Sequence, residues 1–169
     1  VSILPSQGSS HSIAGNKSIT IDALSPKIDN VSSNTNDGTY FPGDNISISL
    51  NFNENVFIDN ATGIIKIELE TGSNDQYAHY ISGNSSAKLN FNYNIKLGDN
   101  SSDLSYTSIN SLNLSGVTIK DLYGNDASLI LPEPGNLKSL DGNKDIKIKS
   151  WRGNLVYKTA TSGYNHPAY

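Results

Sequence analysis

The stretch NISISLNFN, Asn45 to Asn53, alternates without a break. Ile46, Ile48, Leu50 and Phe52 fall on one side, and Asn45, Ser47, Ser49, Asn51 and Asn53 on the other. Successive side chains of a strand point to opposite faces, so this alternation predicts an antiparallel strand with one buried and one wet face. AKLNFNYNIK repeats the device, with Leu89, Phe91, Tyr93 and Ile95 inward and Lys88, Asn90, Asn92, Asn94 and Lys96 outward. GIIKIELET adds Ile65, Ile67 and Leu69. KIDNVSS, QYAHYIS, GVTIKD, ASLIL, KDIKIK and NLVYKT are weaker strand candidates, and SINSLNL reads as a short helix or an irregular crossover. Turn clusters such as NTNDGTYFPGDN, TGSNDQ, SGNSS and LYGND separate the runs, rich in the pairs that supply positive φ or a preset φ. Short strands at this spacing, each with one apolar face, predict an all-β, antiparallel β-sandwich in which a second sheet covers the first.

Composition agrees and narrows the function classes. Asn and Ser contribute 22 and 25 of 169 residues, there is no Met, and only 17% of residues are charged. Short polar side chains favour turns and solvated strand faces over helices. The net charge of −4 comes without a Lys/Arg cluster that could track a phosphate backbone, which argues against nucleic-acid binding. No apolar run reaches membrane-span length. The absence of Cys removes disulfides, thiolate nucleophiles and Cys-ligated zinc together. Beginning at Val1 rather than Met, the chain is expected to be a processed product or a fragment, and its composition suits an extracellular or surface protein.

One segment occurs twice. LPSQGSSHSIAGNKSITID, Leu4 to Asp22, aligns without a gap on LPEPGNLKSLDGNKDIKIK, Leu131 to Lys149, at an offset of 127, with nine of nineteen positions identical. The later copy reads as the closing strand of a unit running from about Ala23 to Lys149. The earlier copy then reads as the closing strand of a preceding unit, which predicts beads on a string rather than a solenoid. The chain divides into residues 1–22, a closing-strand segment; 23–149, the sandwich; and 150–169, a tail with aromatics or the start of a further module.

The stretches DGTYFPGD (Asp37–Asp44), ISISLNFNENV (Ile46–Val56), LGDNSSDLSYTS (Leu97–Ser108), LNLSGVTIKDLYGNDASL (Leu112–Leu129) and NKDIKI (Asn143–Ile148) stand in order. In this arrangement the chain resembles bacterial immunoglobulin-like repeats, over roughly Pro26 to Ile148. Such repeats occur in tandem in very large secreted and cell-surface proteins, often adhesin-like. The resemblance implies an immunoglobulin-like Greek-key sandwich with a structural or adhesive role and no catalysis. Partners would be neighbouring repeats or subunits of the same protein, or surface glycans and host-cell surfaces.

Candidate sites follow from side-chain chemistry. Calcium takes about six to eight oxygens, and loop carboxylates supply them; Asp99 with Asp103, and Asp121 with Asp126, bracket DNSSD and DLYGND, so structural calcium is the one cofactor this pattern admits. Asp37 and Asp44 bracket a third such loop. Asp and Asn are equally ordinary turn formers. His11, His79 and His166 lie far apart, and neither a Gly-x-Ser-x-Gly nor a His-Glu-x-x-His pattern occurs, so no enzyme is expected. Lys66 sits on the polar face of its strand, a poor position for an internal Lys–Asn crosslink. Interface candidates are Ile19 and Ile21 in the surplus strand and Trp151, Tyr157, Tyr164 and Tyr169 in the tail, whose rings suit stacking on a sugar or anchoring a partner. Besides the surface module, two readings stand: a subunit of an assembled filament, phage fibre or decoration protein linked through the N-terminal strand, and a carbohydrate-binding accessory module.

Overall fold

A computed structural model of the protein describes residues 3–59 and 62–151. The predicted strands form where the alternation placed them. β1 (Ile28–Ser33) pairs with β3 (Asn45–Asp59), β3 with β6 (Ser86–Asn94), β6 with β5 (Gln76–Ser82), and β5 with β4 (Ile64–Glu70), all antiparallel. The other edge of β4 takes β7 (Ser105–Tyr106) and β8 (Leu112–Ser115), and β9 (Thr118–Lys120) pairs with the far end of β3. A parallel pair stands apart, β2 (Gly38–Tyr40) with β10 (Ile146–Ile148).

The expectation of two stacked sheets is met only in its coarser part. The antiparallel strands belong to one eight-stranded sheet that curls into a half-barrel, with the small parallel pair beside it. A register shift in β3 between Asn51 and Val56 marks where this long strand bends and changes partner; such irregularities sharpen the native twist, and the sheet wraps its own apolar face. Ile46, Ile48, Leu50, Phe52, Ile65, Ile67, Leu69, Leu89, Phe91, Tyr93 and Ile95 are all buried, in one continuous core. The polar faces carry cross-strand amide bonds: Asn92 and Asn94 donate Nδ2 hydrogens to Asn45 Oδ1 at 3.1 and 3.2 Å, and Asn51 donates to Asn30 at 2.5 Å. Asn on these faces thus both solvates the strand and ties it to its neighbour.

Residues 131–149 run across the mouth of the curl and hold both of its edges. On one edge Val31 N–H donates to Lys138 O at 2.8 Å and Asn143 Nδ2 to Val31 O at 2.8 Å. On the other, Leu131 N–H donates to Ile109 O at 2.9 Å, Leu104 N–H to Ile146 O at 2.7 Å and Ile148 N–H to Ser101 O at 2.8 Å, and the Tyr106 hydroxyl donates to Pro132 O. Leu131, Leu140, Ile146 and Ile148 all enter the core. The later copy of the repeat is therefore the piece that closes the body.

Several expectations changed on contact with the fold. SINSLNL contributes β8, whereas ASLIL forms only a single bridge, Ser128 to Lys27. The entry turn DGTYFPGD contains a strand, β2, because β10 lies alongside it. The surplus strand expected at Ser18 to Asp22 has no strand partner; a ladder needs an edge, and the edge that suits this pattern is taken by β10. NLVYKT lies outside the described residues. None of the described helices is long and apolar enough to cross a membrane.

Candidate functional site

The two copies of the repeat share the backbone of their capped turn. In the later one, Ser139 caps the four-residue helix α2 (Leu140–Asn143), its hydroxyl oxygen accepting from Gly142 N–H at 3.2 Å and lying 2.7 Å from Asn136 O. In the earlier one, Ser12 caps α1 (Ile13–Asn16), accepting from Gly15 N–H at 3.1 Å and donating to Ser9 O at 2.8 Å. Lys144 N–H closes on Leu140 O at 3.0 Å and Lys17 N–H on Ile13 O at 2.9 Å. Gly8 and Gly135 share φ +81°, the left-handed region that glycine tolerates. A Cβ at Gly142 would lie 1.8 Å from Asn136 O, and one at Gly15 would lie 1.9 Å from Ser9 O, so both turns are too tight for any other residue. The repeated Ser-x-x-Gly-Asn-Lys is the local signal for this capped turn.

Burial separates the copies completely. Leu131, Leu140, Ile146 and Ile148 are 2%, 0%, 0% and 0% exposed, whereas their counterparts Leu4, Ile13, Ile19 and Ile21 are 86%, 72%, 62% and 87% exposed. The interface candidates Ile19 and Ile21 thus belong to a ridge of apolar side chains already in the shape of a closing segment and covered by nothing among the described residues. Trp151 is also exposed; Tyr157, Tyr164 and Tyr169 lie outside the described residues.

The carboxylates proposed for calcium are distributed rather than gathered. Asp99 is buried; its Oδ2 accepts from the Tyr93 hydroxyl at 2.6 Å and from Lys96 N–H at 2.7 Å. Asp103 accepts from Ile146 N–H at 3.3 Å, and burial, with the charges of Asp145 and Asp141 nearby, pushes its carboxyl up. Asp121 folds its own loop: Oδ1 accepts from Tyr123 and Asn125 N–H, both at 2.8 Å, and Oδ2 from Asn125 Nδ2 at 2.7 Å. Burial acts to raise its carboxyl, and these hydrogen bonds outweigh it and hold it below the usual range. Asp126 pairs with Lys120 at 2.9 Å.

A carboxylate trio that sequence reading missed does exist: Asp22, Glu54 and Asp121 bring oxygens within 4.8 Å of one another, where residue 22 ends the earlier copy. Asn125 Nδ2 donates to Asp22 O there at 3.2 Å, pinning the exit of that copy to the body. Spacings of 32 and 67 residues along the chain hide such a group from sequence.

His79 is exposed on β5. Lys66 Nζ lies 3.5 Å above the Tyr77 ring. A concavity of about 150 Å³, lined by Ile58, Gly63, Ile65, Tyr80, Asn84 and Val117, holds no acid, strong base or nucleophile pair. No protein-family model, curated protein or solved structure matches this chain.

Proposed function

We propose that the chain is a non-enzymatic, immunoglobulin-like structural or adhesive module of an extracellular surface protein, working in series with units of its own kind. One observation carries this reading. A second copy of the closing segment, with the same capped turn as the one that seals the body, has its apolar side chains bare near the other end of the described residues. A curled antiparallel sheet around a single core, sealed by its last strand, supports the immunoglobulin-like reading.

The topology also suits load. The N-terminal path enters through β1 into β2 and the C-terminal path leaves from β10, and β2 and β10 are parallel. Tension between the ends therefore shears that pair, loading its hydrogen bonds together rather than one by one. Force spectroscopy on the full chain tests the reading. A single unfolding peak is expected, releasing about 40 nm at roughly 3.5 Å per residue. Extension with no peak above thermal noise would overturn it.

A second reading, a subunit of a filament or fibre, is favoured by the same bare ridge. It differs only in whether the next body belongs to the same polypeptide.

A further inference from the structure

We infer that residues 4–22 are a donor segment for another body of this kind, taking there the place that residues 131–149 take here. The inference rests on the serial-module reading and names its partner. The receptor is the curl of a body whose own closing segment is out of its slot: the edge of β1, the 101–109 stretch on the facing edge, and β2, all of which residues 131–149 occupy here.

Each requirement of that slot can be checked against the donor. Four apolar side chains must enter the core, and Leu4, Ile13, Ile19 and Ile21 stand at the four register positions, with two positions identical to the native segment in the final strand. The capped turn between them must have the right shape before docking, and α1 already has it. Lys144 pairs with Asp37 at 3.2 Å beside β2, and Lys17 occupies the equivalent place. Asn143 donates to Val31 O and meets the Ser32 hydroxyl at 2.6 Å, and Asn16 is its counterpart. A segment whose turn is preformed loses less freedom on docking, and an unpaired extended stretch joins an exposed strand through main-chain hydrogen bonds.

One anchor differs, Leu140 being replaced by the isomeric Ile13, and several polar positions differ as well. Asp145, Lys147 and Lys149 are replaced by Ser18, Thr20 and Asp22, and Asp141 by Ala14. None of these positions is among the four apolar anchors. Because the pairing surfaces differ, donor on one unit and slot on the next, the contact is head-to-tail, and it forms where the receiving body's own closing segment has left the slot.

Two full-chain variants test this. In the first, residues 131–149 carry the sequence of residues 4–22. It is expected to remain monomeric and to melt cooperatively within ~10 °C of the parent, about 2.5–5 kcal/mol for a chain this size; the same graft with Ile146→Asp and Ile148→Asp should show no melt. In the second, Ile146→Asp and Ile148→Asp are placed in the otherwise native chain, disabling its own closing segment. Light scattering should then show a mass that rises with concentration, and adding Ile19→Asp and Ile21→Asp should abolish that rise. A graft with no cooperative melt, or a slot variant that stays monomeric at every concentration, overturns the inference. Neither result bears on the force peak, so failure here is distinguishable from failure of the module reading.

Discussion

Tyr93 carries a phenol into the core and finds a single partner there, the buried carboxylate of Asp99, which also accepts from Lys96 N–H. Removing the hydroxyl strips a donor from a buried carboxyl group. Tyr93→Phe is therefore expected to cost about 1.5–3 kcal/mol, read as a lower midpoint in urea with unchanged slope. The same phenol and that of Tyr106 give the alkaline limit of the fold. Burial, reinforced by Asp99 for Tyr93 and by Asp141 and Glu133 for Tyr106, pushes both well above the ordinary phenol value. An unfolded tyrosine ionises near about pH 10. Stability from these groups is thus complete below that pH and is lost as pH rises past it toward the raised folded values, because only the unfolded chain releases the protons. Absorbance at 295 nm should show exposed tyrosines titrating first and these two only together with loss of the near-ultraviolet circular dichroism.

Among elements, the two capped turns make a matched pair. Each has a glycine whose Cβ would overlap a carbonyl oxygen, so each is equally strained by a larger residue. Only α2 is pressed between the edges of the curl, with Leu140 and Ser139 fully buried. Gly142→Ala should accordingly destabilise the body by about 1–3 kcal/mol, the range for overpacking. Gly15→Ala should leave the thermal midpoint within roughly 0.5 kcal/mol of the parent, as for a surface change. Equal effects in differential scanning calorimetry would show that the earlier copy packs on its own body.

For the whole molecule, the closing segment is indispensable. Its four apolar anchors contribute about 1.5–3 kcal/mol each, roughly 6–12 kcal/mol together, which is comparable to the entire stability of a small domain. A chain lacking residues 131–149 should show no cooperative transition. A chain lacking residues 1–22 should melt within a degree or two of the parent, since the anchors of that copy are exposed. Limited proteolysis of the intact protein should cut within the first 22 residues before it reaches the curl.

Much of this was legible in advance. Alternation is a property of strand geometry, so Ile46, Ile48, Leu50, Leu89, Phe91 and Tyr93 declared their faces without any knowledge of partners. The short strands β7 and β2 did not, because they exist only through β4 and β10. Nor did the curl, which depends on where β3 shifts register, or the trio of Asp22, Glu54 and Asp121, assembled from distant loops.

The repeat separates the two kinds of information most clearly. Ser12, Gly15 and Lys17 build the same capped turn as Ser139, Gly142 and Lys144, because caps and close approaches are settled within a few residues. Ile19 and Ile146 lie in matching local sequence, yet one is exposed and the other buried. Burial is decided by what stands opposite, and residues 131–149 hold the one slot this body offers.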